Sequence, residues 1–281
     1  MKQSIRRIYI EITSRCNLNC SFCRTTERNN DMDPAFFADV LKQAKQITPY
    51  IYLHVHGEPL LHPAFEEIMN LCDQENMQVQ LVTNGTLLAK YPDLYRHSSL
   101  RKISFSLQSI EYHSADPISY LKDILSFCEA ASKQERPYCE IRFWRDDQLQ
   151  MERTDTCLSW LQEHYTFTKT ERPDNYRIMD HVYVDAHNMF AWPSVDEPLN
   201  SIRGTCHGGI RQIAVLSDGT VVPCCLDSQG DIPLGSLQKQ SLDEILSSKR
   251  YTDLCHGFEN RELTEDLCRK CTYRNRFDQK I

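Results

Sequence analysis

Residues 8–13, Ile-Tyr-Ile-Glu-Ile-Thr, run into Cys16-Asn17-Leu18-Asn19-Cys20-Ser21-Phe22-Cys23, and the reading of this junction decides the reading of the chain. The first run reads as a strand, and the second sets three thiols in one short loop at its end. Three thiolates suit an iron–sulfur cluster that keeps one iron open. Cubane clusters normally take one cysteine per iron, so a loop supplying three leaves the fourth iron free for a ligand that takes part in the reaction. Zinc calls for a fourth protein ligand, and none stands in the local sequence. Thiols clustered in this way point to metal binding or catalysis rather than to scattered surface or core cysteines.

Composition narrows the partners. With 281 residues the chain is long enough to bury a sizeable core. A net charge of -7, from 32 Lys+Arg against 39 Asp+Glu, argues against a nucleic-acid surface, and Arg6-Arg7 is isolated. No apolar run is long enough to span a bilayer, and Glu11 arrives before a signal-peptide core could form, so no membrane partner is expected. A reducing cytoplasm is the expected compartment. The odd total of 13 cysteines fits metal ligation plus spare thiols better than a disulfide framework.

Outward from the thiol loop, strand-like runs at Ile8–Thr13, Tyr50–His56, Gln78–Thr83, Lys102–Leu107 and Cys139–Trp144 alternate with helix-like segments. Those segments are Pro34–Gln46, Ala64–Asn76, Leu87–Tyr95 and Ile118–Lys133. The rhythm predicts a mainly parallel sheet covered by helices, with ligands at the C-terminal strand ends. The informative loops fall there: the thiol loop after the first strand, His56-Gly57-Glu58-Pro59 after the second, Thr83-Asn84-Gly85 after the third. A helix and a looser stretch follow over residues 151–173, and Pro and Gly mark a junction between Pro193 and Gly209. Beyond it, Arg211–Leu216 and Thr220–Pro223 around Asp218-Gly219 predict a β-hairpin, and Leu242–Arg250 a helix.

The Cys-x3-Cys-x2-Cys spacing, with Phe22 before the last cysteine, resembles the signature of the radical S-adenosylmethionine (SAM) superfamily. His56-Gly57-Glu58-Pro59 resembles its Gly-Gly-Glu-Pro motif, with His56 in place of the first glycine. The resemblance implies an α/β fold, a partial (β/α)6 TIM-like barrel with a small β-hairpin and helix cap. It places the core at residues 1–195 and the cap at 203–281. It also implies that Cys16, Cys20 and Cys23 hold a catalytic 4Fe–4S cluster whose open iron binds SAM. Gly57 would then allow close backbone approach, Glu58 would contact the SAM ammonium, and Phe22 would lie against the adenine.

Ser106 and Gln108 resemble the position where related enzymes hold the ribose hydroxyls, with Gln108 standing where an acidic residue is usual. Arg142, on the fifth strand, is placed to clamp the SAM carboxylate in a two-pronged contact or to face solvent as an ordinary arginine. Asn84 faces the site or satisfies its own turn. His56 is either accommodated or a group for substrate and proton transfer.

A second constellation comprises Cys206, Cys224, Cys268 and Cys271. Four thiols close a site, and on spacing alone a structural zinc and a fully ligated cluster both meet the description. The run from Cys206 through Asp218-Gly219 to Cys224, with Cys268-x2-Cys271 at the end, resembles the SPASM and twitch modules. That implies an auxiliary 4Fe–4S cluster on four cysteines, with Cys224 favoured over Cys225. Cys72, Cys128, Cys139, Cys157 and Cys255 read as small core hydrophobes, Cys139 and Cys255 having a lesser claim as hydrogen-atom donors. Trp144, Trp160 and Trp192 read as packing residues.

The resemblance implies reductive cleavage of SAM to a 5′-deoxyadenosyl radical, an electron donor such as flavodoxin or ferredoxin, and a peptide or small-molecule substrate. A twitch-type alcohol dehydrogenase is the narrower version. A noncatalytic metal-binding or electron-transfer protein is the rival reading, and the thiol loop coupled to Gly57-Glu58-Pro59 speaks against it, because an electron carrier has no need of an ammonium acceptor.

Overall fold

The computed structural model describes residues 5–24, 29–145 and 150–278. Along the chain stand β1 (Arg7–Ile10), α1 (Pro34–Lys45), β2 (Tyr50–Tyr52), α2 (Phe65–Gln74), β3 (Gln78–Thr83), β4 (Leu100–Ser106), α3 (Pro117–Lys133) and β5 (Tyr138–Arg145). There follow α4 (Glu152–His164), β6 (Thr168–Lys169), β7 (Asn175–Met179), β8 (Val182–Asn188), β9 (Gln212–Val215), β10 (Thr220–Val222) and β11 (Gly235–Ser236). Four helices close the chain: α5 (Leu242–Leu246), α6 (Lys249–Glu259), α7 (Asp266–Lys270) and α8 (Asn275–Asp278).

Two compact units divide these elements, the first made of residues 1–15, 22–57 and 190–281, the second of 16–21 and 58–189. In the first, the strand order is β11-β10-β9-β1-β2. β1 pairs in parallel with β2 and with β9, Ile8 lying opposite Ile51 and Ile213. The expected hairpin is present as antiparallel β9 and β10, its turn made by Gly219 at φ +87°. α1 forms because Asp33 Oδ1 accepts from the Ala35 and Phe36 amides and Pro34 pre-sets the first turn. It buries Phe37, Val40, Leu41 and Ala44, one face at helical spacing.

In the second unit the order is β3-β4-β5-β8-β7-β6, with β3, β4, β5 and β8 parallel. Their buried runs, Ile103–Phe105 and Cys139–Ile141 among them, are those of strands covered on both faces. α3, capped by Asp116 with Pro117 at its first turn, buries Leu121, Ile124, Leu125 and Cys128. β1 to β5 fall on the five strand-like runs of the expected α/β rhythm, and β8 joins β5 in parallel as a strand beyond them.

Several elements differ from the sequence reading, and three of the differences have a local cause. The helix expected over Leu87–Tyr95 is two short 3-10 turns, Leu88–Lys90 and Leu94–Arg96, because Pro92 between them disfavours the helical conformation of its predecessor. The helix expected over Leu242–Arg250 breaks at Ser247-Ser248, where the Ser248 hydroxyl accepts from Tyr251 N and starts α6. The antiparallel hairpin of β7 and β8 was not read as strands, for its turn holds His181 at φ 61° instead of the glycine that usually marks one.

Candidate functional site

In the second unit, the thiol-loop segment is laced to the ends of the parallel strands through two asparagines. Asn84 Nδ2 donates to Asn17 Oδ1 at 2.9 Å, and Asn17 Nδ2 donates to Thr86 Oγ1 at 2.8 Å. Asn84 also closes its own turn, its Oδ1 accepting from the Thr86 amide and hydroxyl. Asn84 thus satisfies its own turn and bonds the loop residue Asn17 as well. Within the loop, the Leu18 amide donates to Cys16 Sγ at 3.5 Å, and Ser21 Oγ is hydrogen-bonded to Tyr112 Oη.

Glu58 is 2 % exposed and is held by three donors. Its Oε1 accepts from Thr83 Oγ1 at 2.7 Å and Leu60 N at 3.1 Å, and its Oε2 from Asn84 N at 2.7 Å. A carboxylate offers about four acceptor positions, so Oε2 keeps one to spare. Burial pushes the Glu58 carboxyl up to about 7 although all three donors pull it down. A cation placed at the spare position would return it to the charged form.

At the next two strand ends the structure brings Ser106 and Arg142 together, Arg142 Nη2 donating to Ser106 Oγ at 3.5 Å with its guanidinium over the Trp144 ring. Gln108 is 1 % exposed, and among the described residues its Oε1 has no hydrogen-bond partner. A buried acceptor in that state suits a donor brought by a ligand, as a ribose hydroxyl would be. A roomier cavity of about 710 Å³, lined by Phe143, Thr154 and Leu158 among others, holds none of the expected site residues.

In the first unit, Gly57 has φ +77°, and a Cβ there would run into the Thr13 carbonyl and lie 2.8 Å from that of Arg15. Only glycine fits that approach. His56 Nδ1 lies 3.8 Å from Cys23 Sγ, and the Phe22 carbonyl accepts from Trp192 Nε1 at 3.1 Å. Trp192 is thus more than packing. Sequence reading also passed over Glu11, a buried carboxylate that accepts from His56 N, Ser217 N and Ser217 Oγ. A charge inside the apolar run Ile8–Thr13 was the available signal.

The second thiol constellation is wholly in the first unit. Cys206, Cys224, Cys268 and Cys271 line one cavity of about 110 Å³. Burial first, and then the neighbouring thiols, push Cys224 and Cys268 well above the usual thiol range; Cys206 is raised to about 11. Bound cations are what would hold such a set as thiolates. Among the described residues no three His, Cys, Asp or Glu side chains converge on a single metal ion.

The Gly208 amide donates to Cys206 Sγ at 3.4 Å, and Arg274, 1 % exposed, donates from Nε to the Cys268 carbonyl. Cys225 lines the same cavity, where Tyr9 and Arg7 both lower a thiol that burial raises to about 11. Cys72, Cys128, Cys139, Cys157 and Cys255 are buried, as core residues are.

Comparison with known proteins gives these features a frame. The model of the radical SAM superfamily matches residues 10–142, and that of SPASM, an iron–sulfur cluster-binding domain, matches residues 206–272. A probable GTP 3′,8-cyclase of Methanococcus maripaludis strain C6 is 30% identical over 125 residues, 43% of this chain and 40% of that protein. The chain thus spans less than half the length of the curated relatives it matches.

Among solved structures, BtrN in complex with AdoMet and 2-DOIA has a TM-score of 0.58 at 16% identity, covering 97% of this chain and 94% of that one. Streptococcus suis SuiB bound to the precursor peptide SuiA has a TM-score of 0.58 at 14% identity, covering 99% and 74%. At these identities the likeness is one of fold, and it agrees with a partial barrel followed by a C-terminal SPASM region. The two matched domains imply a 4Fe–4S cluster with SAM, and auxiliary iron–sulfur binding. No helix among the described residues is long and apolar enough to cross a membrane.

Proposed function

Since the chain belongs to the radical SAM superfamily and carries a SPASM iron–sulfur cluster-binding domain, we propose that it is a two-cluster enzyme that oxidises or otherwise modifies a peptide or small molecule. The observation that carries this reading is the hydrogen-bonded line from Asn17 through Asn84 to Glu58, which ties the thiol loop to a buried carboxylate with an acceptor position to spare. When bound, the cofactors supply reductive cleavage of the SAM carbon–sulfur bond, giving a 5′-deoxyadenosyl radical that abstracts hydrogen, and an auxiliary centre able to take up an electron.

Residues 1–195 form the core in this reading, and 203–281 the auxiliary module. Cys16, Cys20 and Cys23 hold the first cluster and leave one iron open. Gly57 lets the backbone approach the methionine part, and Glu58 receives its ammonium at the spare Oε2 position. Arg142, oriented by Ser106, takes the carboxylate, Ser106 and Gln108 hold the ribose hydroxyls, and Phe22 flanks the adenine. Asn84 keeps the loop at the strand ends. Cys206, Cys224, Cys268 and Cys271 close the auxiliary site, which favours electron transfer over substrate binding there. The donor is a flavodoxin or ferredoxin, and the compartment a reducing cytoplasm.

For the substrate, a small alcohol undergoing loss of two hydrogens is supported by the chain's covering 94% of BtrN, whose structure holds 2-DOIA. A peptide is supported by the likeness to SuiB, which binds a precursor peptide. Product mass separates the two. Anaerobic reconstitution followed by iron and sulfide quantification tests the whole reading. About eight irons in the wild type and about four in a Cys16/Cys20/Cys23 triple alanine variant, with 5′-deoxyadenosine lost, is the expected result. Persistent 5′-deoxyadenosine in that variant overturns it.

A further inference from the structure

His56 stands where the Gly-Gly-Glu-Pro motif has its first glycine, so the chain carries an imidazole that the motif does not require. His56 is 8 % exposed, and its Nδ1 lies 3.8 Å from Cys23 Sγ, within hydrogen-bond reach of the large sulfur atom. Both sides of that contact are held. His56 N donates to Glu11 Oε2 at 3.1 Å, and Gly57 beside it is wedged against the Thr13 and Arg15 carbonyls. The imidazole leans against Trp192, tilted by 42° at a centroid distance of 5.4 Å, and the same indole donates to the carbonyl of Phe22, the residue before Cys23. One tryptophan therefore clamps both the ring and the segment that carries the thiol.

We infer that His56 donates an Nδ1–H hydrogen bond to the Cys23 thiolate and thereby raises the reduction potential of the cluster that Cys23 helps to hold. A thiolate only accepts, so the imidazole proton stands on Nδ1 in this pair. The donor stabilises the reduced cluster, which carries one more negative charge, more than the oxidised one, and hydrogen bonds to cluster sulfurs are among the levers that set such potentials. The inference rests on the reading of Cys16, Cys20 and Cys23 as cluster ligands. It makes His56 a positioning residue that acts through Cys23.

An EPR-monitored redox titration of the reconstituted protein tests it, with His56→Leu removing the donor at similar bulk and His56→Asn placing an amide nitrogen near the position of Nδ1. At a fixed potential the ratio of reduced to oxidised cluster should fall about tenfold in His56→Leu, about 59 mV for a one-electron couple, and stay at the wild-type value in His56→Asn. Equal potentials in wild type and His56→Leu overturn the inference, as does an equal drop in both variants. Pulsed EPR of the wild-type reduced cluster with nitrogen-15-labelled histidine needs no variant: an imidazole coupling is expected, and its absence overturns the hydrogen bond. Failure of the underlying reading has its own signature. A cluster signal and SAM response that survive replacement of Cys16, Cys20 and Cys23 by alanine overturn both.

Discussion

At the scale of single residues, Glu58 and Gly57 carry the sharpest expectations. The folded Glu58 carboxyl titrates near 7 rather than at its ordinary value near 4.5, so between those values the folded state keeps a proton that the unfolded chain has released. Its contribution to the stability of the metal-free protein is full below about 4.5 and is lost as pH rises through about 7, on the order of 3 kcal/mol. Asp227, raised by burial to about 6, acts in the same direction over a lower window. Urea midpoints from pH 4.5 to 8 should show the decline, and Glu58→Gln should flatten its upper part. That variant is less stable than wild type at low pH, since an amide group cannot accept from all three donors, and the difference narrows as pH rises. Gly57→Ala should cost about 1–3 kcal/mol by the same measurement, through positive φ and two carbonyls in the way. The thiol positions were legible because metal chemistry restricts ligand type and spacing. The partners that aim the groups, Asn17 on Asn84 or Trp192 on Phe22, were not, since they join residues 67 and 170 positions apart.

Elements were legible where capping and periodicity agree. β3 was expected at Gln78–Thr83 and occupies those residues, its alternating burial matching a period of two. α1 and α3 begin at Asp-Pro pairs that announce a cap and a first turn. Legibility failed where a local breaker was outvoted by apolar periodicity, as at Pro92, or where a turn lacked its usual residue, as at His181. The Ser248 cap is one such local signal read too late. Ser248→Ala should lower stability by about 1 kcal/mol, visible in the denaturation midpoint, and should loosen the start of α6, measurable as faster amide exchange at Tyr251.

For the whole molecule, cofactor loading and folding are linked. Four half-buried thiols lining one cavity repel as thiolates, and Arg274 and Arg276 offset part of that charge at Cys271. Iron bound there stabilises the folded form by mass action. Anaerobic reconstitution should raise Tm, and removal of the iron by a chelator should return it to the metal-free value. Cys268→Ala should show a smaller rise than wild type. Another consequence lies in the pairing of β1 with β9, which joins Arg7 to Gln212 across 205 positions of sequence. During synthesis the first strand leaves the ribosome long before its neighbour exists, and meanwhile Ile8 and Ile10 stand at an unprotected edge. Closing so long a loop adds little to the free energy of the finished protein but much to the time taken to reach it. β1 is thus among the last strands to be secured, and a newly made copy depends on β9 to cover Ile8 and Ile10.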